Sequence, residues 1–117
     1  LRLGRDRMED EKVRYLIDNY IEKIKDIYAA NEVWLWGSRA YGTPNKYSDI
    51  DLIVVSDKFS KIKFIRRMYE FISKLGLLLD RNAEVVDVLC YTPEEFERKK
   101  QEIGVVREAV GKGIRLV

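Results

Sequence analysis

The stretch of sequence that decides the fold reads Gly37-Ser38-Arg39-Ala40-Tyr41-Gly42-Thr43-Pro44-Asn45-Lys46-Tyr47-Ser48-Asp49-Ile50-Asp51-Leu52. It lies between two segments with the composition of strands. The first, residues 32–36, is aromatic and β-branched, and the second, residues 49–55, is nearly all apolar after its two aspartates. The glycines, serines and proline between them indicate a turn-rich connection. An apolar run of this kind is typical of a central strand that is buried on both faces.

Two aspartates open the second predicted strand. Alternate side chains of a strand point to the same face, so Asp49 and Asp51 should project together, about 7 Å apart. Two carboxylates held at the mouth of a buried strand repel each other unless a cation lies between them. Oxygen ligands without His or Cys favour Mg²⁺, with Mn²⁺ as the other option. The pair therefore predicts a divalent metal site.

A third predicted strand, residues 84–91, carries Asp87 among valines and leucine. Because a buried, unpaired carboxylate is costly, Asp87 needs a partner. If this strand lies beside the strand of Asp49 and Asp51, Asp87 completes a carboxylate triad that can hold metal for in-line phosphoryl or nucleotidyl transfer. The alternative is a structural ion pair between Asp87 and an arginine or a helix start.

Gly37 and Ser38 follow the first predicted strand directly. A glycine lets backbone approach a ligand closely, and a short helix start after it offers N–H groups to a triphosphate. We therefore predict that Gly37 and Ser38 bind nucleotide phosphates. Arg39 and Ser48 are further candidates for nucleotide contacts, and Lys46 offers additional positive charge.

The spacing of the two glycines, Gly37 and Gly42, also resembles the opening of a P-loop. Thr43-Pro44 stands where that motif requires a lysine, so we reject a P-loop.

The remaining pattern alternates helices with strands. Helical spacing of apolar residues predicts amphipathic helices at 11–29 and 64–79. Thr92-Pro93 with Glu95 forms a capping-box signature for a helix that runs to about Glu102. A shorter helix is expected at 105–110, ended by Gly111, and an edge strand at 114–117. This order predicts an α/β (α+β) fold with a small central sheet.

Composition excludes several classes of function. The chain has 117 residues, room for one domain, and 22 basic residues against 20 acidic ones give a net charge of +2, which offers no general attraction for nucleic acid. With one cysteine and no histidine, a disulfide framework, a Cys/His zinc site and an imidazole base are all excluded. No apolar run suits a membrane span and no signal-peptide pattern opens the chain, so we expect a cytoplasmic protein. Residues 1–10 are expected to form an N-terminal extension without order, within which Met8 is a candidate initiator.

Gly37-Ser38, ten further residues and Asp49-Ile50-Asp51 together resemble the signature of the polymerase-beta-like nucleotidyltransferase superfamily. The compact form is similar to the minimal nucleotidyltransferases, which are often encoded beside a HEPN-domain protein as the antitoxin of a toxin–antitoxin pair. The resemblance covers residues 11–117, as a single nucleotidyltransferase domain with a small mixed sheet flanked by helices.

The resemblance implies a role for each motif residue. Gly37 and Ser38 would bind the phosphates of ATP or another NTP, Asp49 and Asp51 would bind Mg²⁺, and Asp87 would help to bind metal and activate the acceptor hydroxyl. It further implies transfer of AMP to a tyrosine of a HEPN-domain partner, which neutralises that partner. The chain itself cannot be a HEPN ribonuclease, because the catalytic motif of that family needs a histidine.

The size of the chain leaves two alternatives open. A core of 117 residues has little surface for an acceptor pocket, so we expect a protein partner, a homo-oligomer or both. One alternative is a binding module that blocks its partner by contact alone. The other is a small-molecule nucleotidyltransferase resembling the aminoglycoside-modifying ones. The run Arg98-Lys99-Lys100 is interpreted as a solvated helix face, and Trp34 and Trp36 as core or partner-facing residues.

Overall fold

A computed structural model describes residues 10–117 of the protein. Its α-helices are α1 (Glu11–Tyr28), α2 (Ser38–Tyr41), α3 (Phe64–Leu75), α4 (Pro93–Lys100) and α5 (Val105–Lys112). Its strands are β1 (Glu32–Trp36), β2 (Ile50–Val55), β3 (Val86–Tyr91) and β4 (Ile114–Arg115). Two short 3₁₀ turns, Asp57–Phe59 and Leu77–Leu79, complete the regular structure of these residues.

The four strands form one mixed sheet in the order β3-β2-β1-β4. Strand β1 pairs antiparallel with both β2 and β4, whereas β2 and β3 run parallel. The predicted α/β class with a small mixed sheet and flanking helices is thus confirmed. The parallel pairing of β2 with β3 matters most, because it brings the two aspartate-bearing strands side by side.

Helices cover both faces of this sheet, and alternation along each strand sends side chains to two separate cores. One core joins α1 and α3 to the sheet through residues such as Ile24, Phe71 and Leu52. The other, smaller core joins α4 and α5 to the opposite face through Phe96, Val106 and Ile53. Because α4 and α5 are short, they leave one end of the second face uncovered, and the predicted site lies there.

Several element boundaries differ from the prediction. The helix predicted at 64–79 ends at Leu75, because Gly76 adopts a left-handed conformation with φ of 71° and caps it. Strand β2 begins at Ile50, so Asp49 precedes the strand and does not open it. Strand β3 is two residues shorter than predicted at its start. The Thr92–Glu95 capping box is present as predicted.

The described chain begins earlier than the predicted domain. Asp10, which we assigned to the extension, is the N-cap of α1, and its carboxylate accepts the N–H groups of Lys12 and Val13 at 3.0 and 3.2 Å. Residues 1–9, including the candidate initiator Met8, lie outside the described residues. Within the described part of the chain, none of the helices has the length and apolar character needed to cross a membrane.

Candidate active site

The aspartates of β2 and β3 are direct neighbours in the sheet. Asp51 pairs with Asp87 across the parallel ladder, and Trp36 pairs with Asp51 on the other side. Adjacent strands lie about 5 Å apart, and residues paired in register point to the same face. The two carboxylates therefore emerge together on the face that α4 and α5 leave partly open. This is the adjacency on which the predicted triad depended.

Asp51 sits in an environment that opposes its negative charge. Burial raises the pKa of Asp51 to about 6, and the nearby carboxylates of Asp87 and Asp49 push it in the same direction. The ion is thus disfavoured by desolvation and by like charge, with Asp87 the larger of the two charge effects. A cation at this place would relieve both, so the donor set fits a hard divalent metal.

Asp49 and Asp87 differ from Asp51 in being exposed. We expected Asp87 to be buried among the apolar residues of its strand, but its side chain points to the open end of the face while its neighbours point inward. Across residues 10–117 there is no cluster of three His, Cys, Asp or Glu side chains arranged to hold a metal unaided. Magnesium commonly takes one or two carboxylates and completes its shell with water and substrate phosphates, so this open arrangement suits it.

Gly37 brings backbone against the Asp51 carboxylate. Its φ is +77°, a conformation that favours glycine, and it links the end of β1 to helix α2. A Cβ at this position would stand 2.4 Å from Oδ2 of Asp51, so only glycine lets the two segments approach this closely. The carbonyl of Gly37 accepts the N–H groups of Ala40 and Tyr41 at 3.0 and 3.1 Å, which starts α2.

Ser38 is the first residue of α2, next to this contact. The Gly37 carbonyl takes the N–H groups of Ala40 and Tyr41, so the N–H groups ahead of them, those of Ser38 and Arg39, are the ones that can serve an anion. Gly42 closes the other end of the turn and donates its N–H to the carbonyl of Ser38 at 3.0 Å. A Cβ on Gly42 would lie 2.8 Å from Cα of Ser38, so the turn also depends on this glycine.

Arg39 turns inward, toward protein groups. The residue is only 4% exposed, and its guanidinium donates to the carbonyl of Ser48 from Nε at 3.0 Å and from Nη2 at 2.8 Å. It also donates to the carbonyl of Asn45 and to both carboxylate oxygens of Asp10, and it lies 3.6 Å from Glu84. These contacts occupy the guanidinium, so Arg39 holds the loop and is not free to make the predicted contact with the nucleotide.

Ser48 also helps to build the loop before Asp49. Its carbonyl accepts from Arg39, and its hydroxyl accepts the backbone N–H of Asn45 at 3.0 Å. Together with Arg39, Ser48 fixes the backbone next to Asp49. The predicted nucleotide contact of Ser48 has no support in this arrangement.

Arg39→Met is expected to lower the free energy of unfolding by about 3–5 kcal/mol, because it leaves Asp10 as a largely buried carboxylate without its partner. Chemical denaturation at neutral pH measures this change. Arg66→Met is the matched control, since Arg66 is exposed on α3 and should change stability by no more than about 0.5 kcal/mol. Equal effects of the two substitutions would contradict the role given to Arg39.

Comparison with known proteins agrees with this geometry. The sequence model of the nucleotidyltransferase domain family matches residues 17–114, which is most of the chain. The chain belongs to the nucleotidyltransferase domain family. The resemblance drawn from Gly37-Ser38 and Asp49-Ile50-Asp51 is therefore confirmed at the level of the family.

The names of individual relatives agree with membership of the nucleotidyltransferase domain family. A "putative protein adenylyltransferase" of Methanocaldococcus jannaschii is 28% identical over 78 residues, which are 60% of this chain and 53% of that protein. The chain thus spans about half the length of this curated relative. A crystal structure of a "putative nucleotidyltransferase" from Sulfolobus solfataricus is 25% identical, with a TM-score of 0.54 and 79% of both chains covered.

A third comparison supports the fold alone. A crystal structure described as a toxin-antitoxin with AMP-PNP is 24% identical to this chain, with a TM-score of 0.53. The match covers 86% of this chain and 72% of that one.

A contact between α2 and α5 of the nucleotidyltransferase domain was not predicted from the sequence. The hydroxyl of Tyr41 donates to the carboxylate of Glu108 on α5, and Nζ of Lys112 lies 5.9 Å from the centre of the Tyr41 ring. Burial, and next the bond to Glu108, raise the pKa of Tyr41, so it stays a neutral donor at neutral pH. No local motif points to this contact, because α5 meets α2 only through the fold.

Proposed function

We propose that this nucleotidyltransferase domain transfers AMP from ATP to a hydroxyl group, in a reaction that depends on Mg²⁺. The acceptor in this proposal is a tyrosine of a HEPN-domain partner protein, and the transfer neutralises that partner as an antitoxin would. The proposal rests above all on one observation, the pairing of Asp51 with Asp87 while the backbone of Gly37 contacts the Asp51 carboxylate.

Asp49, Asp51 and Asp87 are the residues that would hold the metal. The metal would screen the phosphate charge and polarise the phosphorus that is attacked. Within the chain, Gly37 and Ser38 offer backbone N–H groups to the phosphates, and Arg39 holds the loop that carries Asp49. Asp87 is exposed on the edge strand, which suits it to receive the proton of the acceptor hydroxyl.

The proposed reaction needs only ATP and the acceptor hydroxyl as reactants. The acceptor oxygen forms a bond to the α-phosphorus of ATP, and the bond from that phosphorus to the oxygen that bridges to the β-phosphate breaks. Pyrophosphate leaves, AMP remains on the acceptor oxygen, and the proton of the hydroxyl passes to a carboxylate and then to water. Positioning and charge stabilisation supply the catalysis, since the protein contributes no covalent intermediate.

Three observations favour a protein acceptor. The name of the Methanocaldococcus jannaschii relative describes a protein adenylyltransferase, and one structure of similar fold is of a toxin-antitoxin with AMP-PNP. The face that carries the site is also open to solvent at Asp49 and Asp87, which are both exposed. Such a face is suited to a partner that brings its own acceptor segment.

Isotope position in ATP tests the proposal. Wild-type protein is mixed with the product of a neighbouring HEPN gene and with ATP that is labelled on either the α- or the γ-phosphate. We expect label on the partner from α-labelled ATP only, with Mg²⁺ or Mn²⁺ present and none with EDTA. Label from γ-labelled ATP would instead indicate phosphoryl transfer and would overturn the proposal. A complex that forms without any label transfer would favour the binding-module alternative.

A further inference from the structure

The sheet order separates two sides of the site. Gly37 and Ser38 follow β1, Asp51 lies on β2 and Asp87 lies on the edge strand β3. In an in-line transfer the leaving pyrophosphate and the attacking hydroxyl lie on opposite sides of the phosphorus. If the phosphates lie beside Gly37 and Ser38, the acceptor must arrive from the side of β3.

A cavity of about 390 Å³ lies on that side, on the same sheet face as Asp87. Leu89 is two residues beyond Asp87 on β3, so the two side chains share a face and lie about 7 Å apart. The cavity is lined by Phe64, Leu89, Tyr91, Glu95, Arg98 and Lys99. Its apolar side is aromatic, because the rings of Phe64 and Tyr91 lie 5.5 Å apart and Phe64 remains 48% exposed.

The polar side of the cavity carries net positive charge. The Glu95 carboxylate accepts from the buried Arg67 guanidinium at 2.6 and 3.2 Å, so its charge is already compensated. Arg98 and Lys99 follow Glu95 by three and four residues, which places them on the same face of α4 as Glu95. Both side chains are exposed. Lys99 lies 3.4 Å from Glu102, whereas Arg98 has no ion-pair partner among residues 10–117. Arg98 and Lys99 form a cationic rim of the cavity, which therefore favours an anionic ligand.

We propose that this cavity is the acceptor subsite, which takes the aromatic side chain of a segment flanked by acidic residues. This inference rests on the proposed function and specifies the chemistry of its acceptor. The ring packs on Phe64, Leu89 and Tyr91, its hydroxyl faces Asp87, and the flanking carboxylates pair with Arg98 and Lys99. Aromatic packing selects the acceptor residue, while the cationic rim selects the segment that carries it.

Charge reversal tests the rim with defined probes. The synthetic peptide Glu-Glu-Tyr-Glu-Glu is compared with Lys-Lys-Tyr-Lys-Lys as acceptor of label from α-labelled ATP. Wild type is expected to prefer the acidic peptide at least ~10-fold in kcat/KM. The double variant Arg98→Glu with Lys99→Glu should lose that preference and gain activity with the basic peptide. Lys23→Glu is the control, since Lys23 lies on α1, which packs on the opposite sheet face.

Phe64→Ala tests the aromatic side of the cavity. It should raise KM for the acidic peptide at least ~10-fold, whereas Ile65→Ala, one residue along and 78% exposed, should not change it. Binding of a fluorescent ATP analogue is measured in parallel for every variant. If wild type binds no nucleotide, the proposed function fails. If wild type binds and transfers AMP but the rim and Phe64 variants match it with both peptides, the subsite alone is overturned.

Discussion

Asp51→Asn is expected to reduce nucleotidyl transfer by at least ~100-fold, because loss even of groups that only orient metal ligands costs 10–100-fold in activity. Asp51 lies between two other parts of the site: it pairs with Asp87 in the sheet, and a Cβ on Gly37 would stand 2.4 Å from its Oδ2. The loss should appear in kcat with Mg²⁺ saturating, and the apparent affinity for Mg²⁺ should fall as well. Initial rates of AMP transfer at several Mg²⁺ concentrations measure both changes.

The same substitution separates catalysis from folding. Burial and two neighbouring carboxylates raise the pKa of Asp51 to about 6, so its charge opposes folding at neutral pH when no metal is present. With its folded pKa above the ordinary 3.8, its contribution to stability falls as pH rises from near 4 through about 6. Asp51→Asn removes this charge, so its Tm in EDTA at neutral pH should equal or exceed that of wild type.

Asp18→Asn is the matched control for this experiment. Asp18 is exposed on α1, away from the catalytic face, and the same chemical change there should leave transfer within twofold of wild type. Full activity of Asp51→Asn would exclude Asp51 as a metal ligand. A strongly lowered Tm of Asp51→Asn in EDTA would instead show that its carboxylate stabilises the fold.

Local patterns predicted much of this fold, and they supplied the candidate residues of the site, whose roles stay predictions. The turn between β1 and β2 and the side-chain directions of the aspartates could be predicted from local sequence. The conformational preferences of glycine and proline, and the alternation of side chains along a strand, depend on only a few neighbouring residues. The family that these residues suggested is confirmed by the match of its model to residues 17–114. The position of Asp87 was harder to predict, because its adjacency to Asp51 depends on the order of the strands. Only the parallel pairing of β2 with β3 establishes that adjacency.

Arg39 shows where local reasoning fails. Arg39 was a candidate for a nucleotide contact because of its charge, and nothing in the spacing favoured it over Lys46. Its actual partners, Asp10 and the carbonyls of Asn45 and Ser48, come from segments that only the folded chain brings together. A buried cation takes the partners that the fold offers, and these are not encoded in the spacing around it. The Tyr41–Glu108 contact was missed for the same reason.

Gly37→Ala should have an effect on catalysis of similar size, by a different route. A methyl group at this position would stand 2.4 Å from Oδ2 of Asp51, and ordinary contact begins near 3.4 Å, so the carboxylate or the turn must move by about 1 Å. A displacement of that size at a reacting centre can cost about 100-fold in rate. With φ of +77° and ψ of −158°, the backbone of Gly37 lies in a region almost restricted to glycine, which adds about 1–3 kcal/mol of strain for alanine.

Gly76→Ala distinguishes the contact from the strain. Gly76 has a nearly equal φ of +71°, but a Cβ there meets no atom within 4 Å. Gly37, with ψ of −158°, lies in a region almost restricted to glycine, whereas Gly76, with ψ of 23°, is in the ordinary left-handed region. Gly37→Ala should therefore lose at least as much stability as Gly76→Ala, which chemical denaturation measures, and only Gly37→Ala should lose AMP transfer. If Gly76→Ala lost transfer equally, general destabilisation would explain the result. If Gly37→Ala kept full activity, the close approach of this backbone to Asp51 would have no part in catalysis. The proposal that this turn binds the phosphates would then lose its support.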